Sequence, residues 1–459
     1  MYNSFFRPAG LLMLFFLLYS CSSSPSGNID DSGSDDVGNV PVTSADCENG
    51  LAGDYPCNNV DLLARIDTTD LVVNEAQNGP RRLNDIWGWT DTQTGKEYAL
   101  VGLTDGVTFV DISNPREPEV VGKLVESTYN KAKAKDKQFA LSCGVGLMKP
   151  VGYTTEQSSW RDFKVFKDHL FVVSDAQDHG MQVFDLTKLR DVSNPPVTFQ
   201  EDELYSDIKN AHNIAINDST GFAYIVGATN ASNNCDQGGL HMVDINNPLS
   251  PGFAGCFAEE QVRAIIKPGY VHDTQCLNYN GPDSDYAGDE VCFNASETAL
   301  VIANVSDKGN PETIAFQSYS HASYSHQGWL TEDQSYYLLN DEGDESANAA
   351  NTKTYIWDVR DLDNPVMIGI HEFPTNNIDH NLYVKGNHVF EANYTNGLRI
   401  LNLDDIANAN LTETAYFDTY PANDFRMFDG AWSNYPYFES GVVIVSDITN
   451  GLFILQPNL

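Results

Sequence analysis

At 459 residues the chain is too long for one ordinary compact domain unless it forms a large barrel, a propeller or a solenoid. It carries 64 acidic against 26 basic side chains, a formal charge of −38. A surface of that sign repels a phosphate backbone, so nucleic acid is excluded as a partner, and the charge reads first as a solvated acidic face.

Arg7 precedes the apolar stretch LLMLFFLLY (11–19), which is too short to span a bilayer as a mature helix. The stretch ends in LYSC (18–21), which resembles the bacterial lipobox. That resemblance implies a lipoprotein signal over residues 1–20, cleaved to leave Cys21 carrying lipid. A plain secretory signal with a coincidental cysteine, or an uncleaved anchor, is the alternative. Residues 21–57 are read as a linker whose SSSPSGNIDDSGSDDVGN (22–39) is a Ser/Gly/Asp stretch expected to be a disordered tether. Ser22 follows the cysteine. By resemblance to the enterobacterial sorting rule, it favours the outer over the inner membrane. The expected location is the bacterial cell envelope, with the lipid anchor as the only membrane contact.

Cysteine usage agrees with export to an oxidising compartment. With Cys21 set aside, proximity suggests the disulfides Cys47–Cys57, Cys235–Cys256 and Cys276–Cys292, with Cys143 left over. No spacing forms a CxxC knuckle, so a structural zinc site of cysteines is not expected.

From residue 58 to 459 the chain repeats. YALVGLTDGVTFVDISNPREPEVVGKL (98–124) is the template: an apolar run, an Asp/Gly turn, an alternating strand ending in Asp-Ile, then Asn-Pro and a short strand. Further copies cover 170–189 with an outer strand at 192–199, then 223–257, 290–316, 336–373, 388–406 and 441–458. Each copy has β chemistry, with Val, Ile, Tyr, Phe and Thr alternating with polar residues between Gly, Asp, Asn and Pro. The prolines open outer strands, where a missing N–H is tolerated.

One more strand precedes each copy. The seven strand heads are Asp85, Asp162, His212, His272, His326, His380 and Asp429. Four strands per repeat and seven repeats predict an all-β, seven-bladed β-propeller with four-stranded blades. The last copy stops without an outer strand, and NVDLLARIDTT (59–69) reads like one. The N-terminal strand is therefore expected to close the last blade. A β-solenoid is the rival architecture, with shorter and more regular turns.

If the blades are equivalent, the seven heads form a ring at one mouth of the central channel. His212, His272, His326 and His380 could ligate Cu, Zn or Fe, with Asp85, Asp162 and Asp429 completing the ring and orienting imidazoles. Two other readings stay open. The histidines could hydrogen-bond the adjacent blade, or the mouth could bind a small molecule. The acidic loops GPDSDYAGDE (281–290) and NDEGDES (340–346) offer oxygens for Ca²⁺ but lack the EF-hand spacing, and solvated surface loops are the plainer reading. NKAKAKDK (130–137) is the one basic cluster, read as a surface insertion. There is no G-x-S-x-G, H-E-x-x-H or P-loop, so no catalytic residue is assigned.

GVTFVDISNP, GLHMVDINNP and GMQVFDLTKL resemble LVIVD-type repeats. Together with AHNIAIN and GYVHDTQCLNYNGPDSDYAGDEVCF they resemble the bacterial choice-of-anchor B family over residues 58–459. The resemblance implies an exported, surface-fixed propeller and carries no activity. A surface binding or scaffold module with a protein or glycan ligand is one expectation, as a monomer. A metal-dependent enzyme using the His/Asp ring is the other. Copper-handling propellers of the selenium-binding and nitrous oxide reductase families are analogies of fold and residue type only.

Overall fold

The computed structural model describes residues 44–71, 81–126, 158–229, 235, 238–263, 267–348 and 350–459. The signal and lipid site at Cys21, the start of the linker, the 130–137 cluster and Cys143 lie outside the described residues.

Seven antiparallel sheets follow one another in chain order. Their innermost strands are Leu83–Thr90, Arg161–Phe166, Asn213–Asn217, Asp273–Asn278, Ser325–Leu330, Leu382–Lys385 and Ala431–Tyr435. Each inner strand packs beside the next, and the seventh packs beside the first, so the ring closes. Each blade has four strands running outward. In the seventh the outermost is Val60–Ile66, paired antiparallel with Gly451–Pro457. The fold is a seven-bladed β-propeller closed by its N-terminal strand.

The repeat template has a local cause. Near the end of the third strand of six blades an Asx side chain accepts the backbone N–H two residues on: Asp111 from Ser113, Asp185 from Thr187, Asp244 from Asn246, Asn304 from Ser306, Asp358 from Arg360 and Asn402 from Asp404. The side chain replaces a ladder bond and turns the chain toward the outer strand. Pro311 and Pro365 sit one residue before the outer strands Glu312–Gln317 and Val366–Glu372. Alternation then sends successive side chains to opposite faces. Ala223 and Ile225 pack toward blade two, while Tyr224 and Val226 pack toward blade four. Seven large apolar clusters result, one between each pair of consecutive blades, including the pair that joins the last to the first.

Three features differ from the sequence expectation. The strand expected at 192–199 as the outer edge of blade two is Val197–Phe199, and it pairs parallel with blade one's outer strand at Gly122–Leu124. Blade two is completed instead by Glu203–Tyr205. The ring of Phe199 packs over Gly122, where a Cβ would come within 2.5 Å of it. Ordered chain also begins before residue 58. Ala45 bridges to Leu62, and the strands Leu51–Ala52 and Tyr55–Asn58 extend blade six. The third difference is the loop 340–346, where Asp341, Asp344 and Glu345 are fully buried rather than solvated. Asp341 takes the backbone N–H groups of Ser323 and Tyr324, which ties the loop inward.

The three disulfides are Cys47–Cys57, Cys235–Cys256 and Cys276–Cys292, as proximity suggested. Cys276 and Cys292 stand directly opposite each other on the first two strands of blade four.

Candidate metal centre

The strand registers fix which residues are equivalent around the channel. Asp162 pairs with Val173, Asn213 with Val226, Asp273 with Ala295, Gln327 with Asn340 and Ser433 with Ser446. Asp85 and Asp162 therefore share a level with Asn213, Asp273, Gln327, Asn381 and Ser433. The four histidines stand one residue earlier, level with Arg161 in blade two and Trp432 in blade seven. Six of the seven heads thus form two adjacent layers and not a single ring. Asp429 belongs to neither. Its carboxylate accepts the Thr449 hydroxyl at 2.5 Å, and Trp432 takes blade seven's place at the mouth.

Blades three to six supply an arc of imidazoles. Ring centroids lie 4.5 Å apart for His212–His272, 4.2 Å for His272–His326 and 4.3 Å for His326–His380. The arc faces a cavity of about 370 Å³. Two histidines are pinned by the next blade: His272 Nδ1 bonds the His326 carbonyl at 2.9 Å, and His380 Nδ1 bonds the Trp432 carbonyl at 2.5 Å. A carbonyl only accepts, so each Nδ1 holds the proton and each Nε2 keeps its lone pair. His212 Nδ1 is held by the Asp175 carboxylate at 2.8 Å.

Glu342 completes the mouth. It lies 3.8 Å from His326 Nε2 and 3.7 Å from His380 Nε2. One ligand atom from each of His326, Glu342 and His380 falls within 4.8 Å of the other two. The Tyr394 hydroxyl donates to Glu342 at 2.5 Å and orients it. Burial, reinforced by neighbouring imidazoles, holds His272 and His326 well below the usual histidine range, and burial brings His380 down to about 3. These rings are neutral at pH 7, the form that binds metal. Burial pushes Glu342 up to about 7 although the Tyr394 hydroxyl opposes it. Burial alone would lower His212, but the Asp175 bond and charge outweigh it and raise this one histidine. Two histidines and one carboxylate on one point, with the cavity in front, match a zinc or non-haem iron ligand set that leaves a position open.

The heads Asp85 and Asp162 serve a different centre. Lys164 Nζ lies 2.5 Å from Asp162 and 3.5 Å from Asp85, with its ammonium 4.5 Å over the Trp87 ring. Burial raises Asp85, whereas Lys164 and further hydrogen bonds overcome burial and lower Asp162. This ion cluster, with Asp273 and Tyr383, separates the histidine mouth from a second cavity of about 570 Å³, lined by Trp87, Trp329, Tyr435 and Tyr437.

Asp175, Tyr394 and Lys164 escaped the sequence reading, and Glu342 entered it only as part of the acidic loop 340–346. A signal existed for three of them. Asp175, Glu342 and Tyr394 each stand two residues beyond the strand position that pairs across from the inner strand, a place the repeat alignment marks. The second acidic loop, 281–290, is largely exposed as expected. Asp283 there has an oxygen within 4.8 Å of oxygens of Asp361 and Asp363, of which the latter two are exposed.

The sequence matches the LVIVD repeat family over residues 95–125 and 210–258. No curated protein matches it. Among solved structures it is similar to the Myceliophteria thermophila Cps50 (Swd1) β-propeller domain, at 10% identity over 83% of this chain and 100% of that one, with a TM-score of 0.48. It is also similar to the Pseudomonas aeruginosa periplasmic gluconolactonase PpgL (9% identity, 73% and 85% covered, TM-score 0.47) and to a protein from Lactobacillus plantarum (13% identity, 80% and 88% covered, TM-score 0.45). With seven blades closing the ring and matches to the LVIVD repeat in blades one and three, the chain is a seven-bladed β-propeller that carries LVIVD repeats.

Proposed function

We propose that this is an exported propeller that binds a transition metal of the zinc–iron–copper class at one mouth of its channel. His326, Glu342 and His380 are the ligands. The observation that carries the reading is that their ligand atoms fall within 4.8 Å of one another while backbone and tyrosine partners hold His380 and Glu342 in place. Such supporting bonds are what metal ligands use to fix tautomer and direction. Three protein ligands leave a tetrahedral ion one position for a small molecule from the cavity. His212, with Asp175 behind it, lines the same cavity at the far end of the arc and can take a proton from that molecule.

Export is supported by three disulfides, which persist in oxidising compartments. Anchoring through a lipid on Cys21, at the cell envelope, follows from the LYSC stretch and from the likeness to the choice-of-anchor B family.

The test is elemental analysis of the full chain purified without chelator, beside His326→Ala/His380→Ala. About one Zn, Fe or Cu per chain, lost in the double variant, supports the reading. Metal-free protein that also fails to take up any of the three ions in a calorimetric titration sinks it.

A further inference from the structure

The loop 341–348 buries an unusual set of acids. It ends in the short helix Asp344–Asn348. Asp341, Asp344 and Glu345 from this loop are fully buried, and so are Asp379 and Glu391 from blade six. The single ion pair in the group joins Lys353 to Asp344, at 2.8 Å. Two of the five carboxylates are satisfied by hydrogen bonds. Asp341 accepts from Tyr319, Ser323 and Tyr324, and Glu391 accepts from Thr354 and Asn393.

The other three are not. Asp344 Oδ2 accepts from Lys353 and Tyr355, but its Oδ1 has no partner. Neither Glu345 oxygen takes a hydrogen bond from another residue, and Asp379 Oδ1 takes none. Unpaired carboxylate oxygens without water are among the costliest groups to bury, and a fold retains them where something else satisfies them. Burial first, and then the charges of their neighbours, push both Glu345 and Asp379 above the ordinary carboxyl range. The group as it stands repels its own charge.

We propose that Asp344, Glu345 and Asp379 form a site for a hard divalent cation of the calcium class. The donors are all oxygens, which selects calcium over the metals that imidazole prefers. None of the three belongs to the histidine–glutamate trio, so the site stands apart from the transition-metal reading. Their oxygens are spread wider than the 4.8 Å that unites that trio. An ion with ligands at about 2.3–2.6 Å draws them together. The bound ion would clamp the blade-five loop to the start of blade six.

The test uses the full chain stripped with chelator at pH 7.5. Calcium at about a hundredfold over its Kd is expected to raise Tm by roughly 3–6 °C. Glu345→Gln and Asp379→Asn lose that rise, while His326→Ala and Asp361→Asn keep it. Terbium luminescence sensitised through Tyr355, whose hydroxyl bonds Asp344, reads the same site in unaltered protein, and calcium quenches it by displacement. A calcium response that survives both carboxylate variants overturns the proposal, as does the lack of any calcium or terbium response. Variants that melt higher than the parent at every calcium level also overturn it, because the acids are then held by protons alone.

Discussion

The two mouths of the channel are built from the same seven strands, yet their chemistry is opposite. At the histidine mouth the lining comes from the first residues of the inner strands and those just before them, where neighbouring carbonyls and a carboxylate fix three of the four imidazoles, His212, His272 and His380. Two residues beyond the Asp85–Ser433 level the lining turns aromatic, with Trp87, Trp329, Tyr383 and Tyr435. These rings pack edge to face on each other, 5.0 Å apart for Trp329–Tyr383 and 5.0 Å for Trp87–Tyr435. One mouth spends its contacts on aiming lone pairs into a cavity. The other spends them on packing. A side chain's depth along the inner strand, more than its blade, decides which role it has.

Arg161 is the strongest challenge to that rule. It stands level with His212, but its guanidinium is buried 2.5 Å from Glu126 and also donates to the Leu103 carbonyl. Arg161→Ala strands a buried carboxylate and is expected to cost about 3–5 kcal/mol by chemical denaturation. A cost under about 1 kcal/mol would mean that the mouth of blade two is not structural.

The next effect separates the mouths by ligand. Glu342→Gln is expected to weaken transition-metal binding by about 100-fold in calorimetry and to leave the denaturation midpoint nearly unchanged. Trp329→Ala is expected to do the reverse. It should lower stability by about 1–3 kcal/mol through lost aromatic packing and leave metal affinity intact. Equal effects of both variants on both measurements would erase the distinction between the mouths.

The last effect is read as a pH dependence and belongs to Asp273, which lines both cavities. Burial, and then Asp162, raise its carboxyl to about 7. Below pH 4 the folded and unfolded chains both hold this proton. As pH climbs toward 7 the unfolded chain releases it and the folded chain does not, so stability is lost across that window. Asp273→Asn should gain on the parent protein between pH 4 and 7 and then hold a constant lead. A constant difference from pH 4 to 8 would contradict the raised value.

Much of the fold was legible in the sequence because its causes are local. The Asx turn, the alternation and the pre-strand prolines lie within single repeats, and the missing outer strand of the last copy pointed to Val60–Ile66. Sheet membership was not local. Val197–Phe199 has the chemistry of an outer strand, but nothing in its residues names the edge it joins. The histidines were legible as a set, whereas their level was not. A His and an Asp heading an apolar run look alike until strand pairing shows them one residue apart. Glu342 and the buried acids of 341–345 were hidden for another reason: clustered carboxylates read as solvated until packing closes over them.

The closing strand has a kinetic consequence. Arg65 donates to the carbonyl of Asn450 across a separation of 385 residues. The four strands of each of blades one to six can form from neighbouring segments, but the seventh needs Val60–Ile66 and Gly451–Pro457 together. Loop closure over that distance comes late and slowly. Until then the edges of Val60–Ile66 and Gly451–Pro457 lack each other, and a nascent chain is an open arc with two unpaired edges that invite the wrong partner. The ring therefore passes its most aggregation-prone stage just before these two strands meet, which makes Gly451–Pro457 the segment whose deletion should most reduce the yield of folded protein.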